Sequence, residues 1–225
     1  MQVVWFKRDL RLQDHAALTK AATLGKVLPL YILEPELWQQ PDMSERHYLC
    51  LKESLSELEN RLKSLGHQLT IKVGAATDIL SELHNHSPIQ AIHSHQETWN
   101  MWTYNRDKSV LKWVKKNSIP WYEPTQTGVI RKLKDRDGWA YNWFKTMNQP
   151  ILKIPHFQSI AFESDTLPSP QELGLKPDDC INRQKGGRAE GVKLLKSFFE
   201  DRGEGYTTEM SSPVTAFESC SRLST

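Results

Sequence analysis

The residues with most scope for chemistry fall in four short stretches: Lys7-Arg8-Asp9-Leu10-Arg11, residues 34–38, residues 93–99 and Arg106-Asp107. Each of the first three follows a short apolar run that reads as a strand, and open α/β sheets bind ligands beyond the carboxyl ends of their strands. Glu97 stands at a strand–helix junction, where a carboxylate can accept hydrogen bonds from the ring N–H groups of a planar ligand, and Arg106-Asp107 follows on the next helix. Arg8, Glu34, His95, Glu97 and Arg106 are the candidate lining of such a site. Two plainer readings compete: an Arg8–Asp9 ion pair that fixes its own loop, and a Glu97 that merely favours a helix N-terminus through the dipole.

Other chemistries find no support. There is no GxGxxG turn and no GxxxxGK[ST] loop, which argues against a nicotinamide dinucleotide enzyme and a P-loop NTPase. No GxSxG elbow and no HExxH occurs. His84, His86, His93 and His95 cluster in sequence, but no cysteine lies nearby and Glu97 is the only close carboxylate. Cys50, Cys180 and Cys220 are scattered, so neither a disulfide framework nor a metal site is expected.

The elements that must position these residues follow from periodicity. Residues 3–6 (VVWF) and 27–33 (VLPLYIL) read as buried strands, with Pro29 a difficulty because proline cannot donate to a sheet ladder. Residues 69–73, 89–93 and 120–122 supply three more. Between them lie helical patterns over residues 15–24, with Asp14 as the expected N-cap, over 45–65 after Ser44, over 76–83 and over 99–116. Five strands alternating with helices predict a doubly wound α/β domain with a parallel sheet over residues 1–128. Residues 129–185 carry five prolines between 150 and 177 and read as an interdomain linker, after a charged, aromatic and partly helical start. Residues 186–225 open with Gly186-Gly187 and one amphipathic helix, too little to bury a core of their own; they read as the start of a second, helical domain cut short.

The 225 residues are 38% hydrophobic and 25% charged, a folding-competent composition without any run long enough to span a membrane. Charge follows the first apolar run at once, so no leader peptide is expected, and the scattered cysteines suit a reducing, cytoplasmic location. Net charge is only +2, but residues 106–145 hold ten Lys or Arg against four acids, an excess that can meet a polyanion or simply form a solvated face.

Three motifs in order give a family resemblance. WFKRDLRLQDHAAL (residues 5–18), HQETWNMWTYNRD (95–107) and the stretch from Tyr206 to Ser221-Arg222-Leu223-Ser224 together resemble the DNA photolyase and cryptochrome family. Cys220 departs from the pattern, standing where the last run usually begins with Thr. The resemblance implies a Rossmann-like N-terminal domain that often holds an antenna chromophore (a folate, a deazaflavin or a flavin), joined by a long linker to a helical domain that binds FAD. By that resemblance Arg8, Glu34, His95, Glu97 and Arg106 are antenna-site residues. Tyr206, Ser221, Leu223 and Ser224 belong to the cradle of the FAD phosphates, where hydroxyls and backbone N–H groups face the diphosphate.

The function implied is that of a light-driven, FAD-dependent DNA lyase that splits pyrimidine dimers by photo-induced electron transfer, with damaged DNA as partner of the full-length protein. The isoalloxazine pocket and most of the DNA groove would lie beyond residue 225, so no catalytic residue is expected in this chain and the chain alone is expected to be inactive. A cryptochrome-type photoreceptor without repair, and a stand-alone nucleotide- or pterin-binding module, are the alternatives.

Overall fold

A computed structural model describes residues 1–180, 182–209 and 211–218. Five parallel strands form one sheet: β1 (Gln2–Phe6), β2 (Val27–Leu33), β3 (Thr70–Val73), β4 (Ala91–His93) and β5 (Trp121–Tyr122), in the order β3-β2-β1-β4-β5. The helices between them are α1 (Ala16–Ala22), the single turn α2 (Pro35–Trp38), α3 (Glu45–Ser64), α4 (Ala76–His86) and α5 (Met101–Lys116). This is the predicted α/β class, with five strands as expected.

The near-continuous apolar run of β1 has a direct cause. Strand side chains alternate between faces, and both faces are covered. Val4 and Phe6 join Val27, Tyr31 and Leu33 in one core against α1 and α3. Val3 and Trp5 join Leu28, Leu30 and Ile32 in the other, against α4 and α5. In α3, Tyr48, Leu55, Leu58 and Leu62 form the buried stripe that the three- and four-residue spacing requires.

Pro29 sits inside β2 without breaking the sheet. The backbone of Val27 bonds residues 158 and 160, on the side of β2 that faces β3. Pro29, two residues on, turns its missing donor the same way, and pairing with β3 begins only at Leu30. No ladder bond is lost. At α1 the expected cap moves by one residue: Asp14 adopts a left-handed φ of 53°, and His15 is the N-cap, its Nδ1 accepting from Leu18 N–H at 3.0 Å. The turn α2, begun by Pro35 at its first position, is absent from the sequence reading because four residues carry no periodicity.

Residues 129–185 stay close to the α/β domain. Phe157, Leu167, Leu173 and Leu175 pack on the α1/α3 side, and Ile160 and Phe162 on the other. Asp165 N–H donates to Ile71 O, and Val73 N–H to Asp165 Oδ2, each at 2.8 Å. The segment thus runs along the outer edge of β3 and covers backbone groups that an edge strand would leave open. Within it α6 (Trp139–Met147) buries none of its residues; Tyr141 is 72% exposed.

After Gly187 come α7 (Arg188–Ser197), a π-helical turn at Phe198–Arg202, and the short helices α8 (Tyr206–Glu209) and α9 (Pro213–Glu218). The start of α7 is held on α3: Gly186 N–H donates to Glu53 and Gly187 N–H to Ser54 Oγ, at 2.7 and 2.9 Å. The approach demands glycine, since a Cβ at Gly186 would lie 1.9 Å from the Cys50 carbonyl oxygen.

His93 is fully buried in β4, its Nε2 2.9 Å from Gln2 Oε1 and its ring stacked on Tyr122. Burial, with a smaller contribution from Lys20, lowers its pKa to about 4. The unfolded chain binds the proton near pH 6.5, so the stability His93 contributes is complete above that pH and is lost as pH falls toward 4. Comparing urea denaturation of the wild type with His93→Gln should therefore show the stability difference shifting by about 3 kcal/mol between pH 7.5 and pH 4; a pH-independent difference would contradict the buried neutral imidazole.

Candidate functional site

The loops after β1, β2 and β4 meet over the carboxyl ends of the strands, where the order of connections reverses. A cavity of about 420 Å³ opens there, within the range of small-molecule sites. Trp5, Phe6 and Leu10 form part of its floor and wall; α2 contributes Leu37 and Trp38, and the inner face of α3 contributes Cys50, Leu51 and Ser54.

Four of the five expected lining residues come together in this cavity: Arg8, Glu34, Glu97 and Arg106. Arg106 is their centre. Its Nη1 donates to Glu34 Oε2, its Nη2 to Glu97 Oε2, and its Nε to Asp107 Oδ1 at 2.9 Å. The guanidinium also lies over the Trp5 ring, 4.7 Å from its centroid. Burial by itself would lower the Arg106 pKa, but Glu34, Asp107 and Glu97 outweigh it and the pKa is raised. The same burial pushes Glu34 up to about 7 despite the attraction of Arg106. Glu34 also reaches the N-terminus of α4, its Oε1 accepting from Ala76 N–H at 3.3 Å.

Arg8 stands at the mouth, exposed, its guanidinium 4.0 Å from the centroid of the Trp99 ring. It does not pair with Asp9. That carboxylate is buried; it accepts from Lys7 N–H at 2.9 Å and faces two imidazoles, with His95 Nδ1 at 2.5 Å and His15 Nε2 at 2.9 Å. Burial would raise the Asp9 pKa, but the two histidines hold it well below the usual carboxylate range. His95 is consequently not in the cavity wall; its imidazole is spent on Asp9, behind the loop that forms the wall. The other clustered histidines separate too, with His84 Nδ1 accepting from Ile89 N–H and His93 on Gln2.

Several contributors escape sequence reasoning. Lys7 is buried and pairs with Asp107 at 3.2 Å across 100 residues of chain, while its ammonium lies 4.6 Å from the Trp5 centroid. Arg131 reaches back from the segment after β5 to donate to the Glu97 carbonyl at 2.7 Å. Trp38, Cys50 and Ser54 are cavity residues on elements the sequence gives no reason to bring there. The one available signal was Trp38, a lone large aromatic closing the Glu34–Trp38 stretch.

A family model for DNA photolyase matches residues 2–170, three quarters of the chain. The chain belongs to the DNA photolyase family. It is 35% identical over 228 aligned positions to Cryptochrome-2 of Arabidopsis thaliana, covering 88% of this chain and 36% of that protein. It is 26% identical to a deoxyribodipyrimidine photo-lyase of Alkalihalophilus pseudofirmus, covering 100% of this chain and 50% of that one. The crystal structure of a Synechocystis cryptochrome superposes with a TM-score of 0.72 at 18% identity, over 92% of this chain and 48% of that one, which concerns the fold alone. The chain thus spans half or less of the length of these relatives. Of the expected FAD residues, Tyr206 begins α8, edge-on to Phe198 with centroids 5.5 Å apart. Ser221, Leu223 and Ser224 lie outside the described residues.

Removing one member of a buried charge network leaves its partners uncompensated. Arg106→Gln strands Glu34 and Glu97 together and should destabilise the chain by about 3–5 kcal/mol in chemical denaturation. Adding Glu34→Gln should recover part of that loss; strict additivity of the two substitutions would mean that they do not act on one network.

Proposed function

We propose that this chain is the N-terminal, antenna-bearing part of a blue-light-driven, FAD-dependent DNA photolyase. The observation that carries the reading is the cavity over the strand ends, in which Arg106 holds Glu34 and Glu97 in fixed positions against an aromatic wall. Such a site suits a planar chromophore of the folate, deazaflavin or flavin type. The aromatic faces of Trp5 and Trp99 offer contact to a ring, and Glu97 offers an acceptor to its N–H groups. Arg106 does not bind the ring in this reading: its Nε, Nη1 and Nη2 are all committed, and its task is to orient the two carboxylates. A bound chromophore would supply absorption of blue light, and an apolar wall would keep water from its excited state.

The second cofactor, FAD, is assigned to the continuation of the protein, with Tyr206 at its approach and Ser221, Leu223 and Ser224 around the diphosphate. This rests on the motif resemblance and on the family. Damaged DNA is the partner proposed for the full-length protein, in which pyrimidine dimers would be split by photo-induced electron transfer. A cytoplasmic location is proposed with it. Among the described residues no helix is long and apolar enough to cross a membrane.

Two measurements test the proposal. The absorption spectrum, from the near ultraviolet into the blue, of the chain purified from its native host should carry a chromophore band, and Glu97→Ala should remove it while the far-ultraviolet circular dichroism stays unchanged. Full chromophore occupancy in Glu97→Ala would move the ligand out of this cavity. In the full-length protein, reversing the charges of Lys132 and Lys134, both exposed, should weaken binding to dimer-containing duplex DNA. The slope of log affinity against log salt should also become shallower, by about one unit for each phosphate that is no longer neutralised. An unchanged slope would return residues 131–136 to a solvated face.

A further inference from the structure

Buried indoles of the α/β domain find acceptors for their N–H groups: Trp113 Nε1 donates to Ser81 Oγ at 2.7 Å and Trp121 Nε1 to Ser94 Oγ at 3.0 Å. Trp38 is different. It is 6% exposed, it forms part of the cavity wall, and its Nε1 has no hydrogen-bond partner among the described residues. Nearby acceptors are otherwise engaged. The carbonyls of Glu34, Glu36 and Leu37 take the N–H groups of Leu37, Gln39 and Gln40. The ring packs edge-on against Tyr48, whose hydroxyl donates to Pro168 O at 2.6 Å. A buried donor left without an acceptor is costly, and native structures keep few of them without a functional reason.

The same cavity holds one unspent acceptor. Glu34 uses both of its oxygens, on Ala76 N–H and on Arg106. Glu97 uses Oε2 on Arg106, and its Oε1 takes no hydrogen bond among the described residues. A wall that is apolar but for one free N–H and one free carboxylate oxygen is complementary to an edge carrying a carbonyl beside an N–H. It discriminates against an anion, because Arg106 is committed to three carboxylates and cannot answer a fourth negative charge.

We infer that Trp38 is the specificity-determining donor of this cavity, and that its occupant is a neutral heteroaromatic lactam whose ring carbonyl accepts from Trp38 Nε1–H while the adjacent ring N–H donates to Glu97. The inference rests on the reading of the cavity as a chromophore site and adds the residue that selects the ring edge.

Two probes of similar ring size separate the contributions: riboflavin, which carries the lactam edge, and phenazine, a tricycle with neither carbonyl nor N–H. Dissociation constants are measured by fluorescence titration for riboflavin and by quenching of tryptophan emission for phenazine, using the 225-residue chain and Trp38→Phe, which keeps a ring against Tyr48. Trp38→Phe should weaken riboflavin about tenfold, the worth of one buried hydrogen bond, and leave phenazine unchanged. The unchanged phenazine affinity also shows that the variant retains its cavity. Equal weakening of both probes would reduce Trp38 to a packing surface, and an unchanged riboflavin affinity would remove it from recognition; either result overturns the inference and leaves the chromophore site standing. A wild-type chain that binds neither probe would overturn the chromophore reading itself.

Discussion

A guanidinium taken out of water must be answered by carboxylates, and the architecture of the strand-end crevice depends on how Arg106 meets that demand. Its three partners come from different parts of the chain: Glu34 from the end of β2, Glu97 from the loop after β4, and Asp107 from its own helix. Once all are bonded, the two sides of the crevice are held at one separation. The desolvation cost makes this a constraint more than a source of stability, because a buried ion pair gains little over an apolar packing of equal volume, whereas one partner left alone is strongly unfavourable. What the network secures is position. Glu34 ties the crevice to the start of α4, and Lys7 and Arg131 extend the charges around Asp107, so the cavity is bounded on that side by side chains with few alternative places to go.

A second buried network works behind the first. Asp9 collects His15, His95 and a backbone N–H of its own loop, and thereby joins the end of β1 to the start of α1 and to the segment after β4. The two networks divide the polar residues of the site between them. Arg106 arranges groups toward the cavity, and Asp9 arranges the backbone that carries them. The charged loop Lys7–Arg11 reads in sequence like a set of ligand contacts, yet only Arg8 of its charged side chains reaches the cavity mouth; Lys7 lines the cavity from within its ion pair with Asp107.

The segment beyond β5 also has a part in the site. It closes the open edge of β3, and its glycine pair brings the start of α7 against the outer face of α3. Ser54 belongs to both arrangements, lining the cavity while accepting from Gly187 N–H. The helix that walls the proposed chromophore cavity is therefore the one on which the chain leading out of the α/β domain is anchored.

The chain's own order of residues determined the α/β class, the five strands, the long helices and the family, because hydrophobic periodicity and contiguous motifs such as residues 5–18 and 95–107 are local properties. It also determined that Glu34, Glu97 and Arg106 are candidates for one site, since the two glutamates each follow a strand whose end must face the crevice and Arg106 stands on the helix after them. Tertiary structure alone decided which of the candidates meet. His95 lies two residues from Glu97 in sequence and yet faces Asp9, and Lys7 finds Asp107 across 100 residues. Nor does any pattern announce that a four-residue turn places Trp38 with its N–H unpaired in the wall, or that Asp14 yields the cap of α1 to His15. Periodicity reports which face of an element is buried. The partner that a buried polar atom finds depends on elements distant in sequence, and that is settled only when they pack.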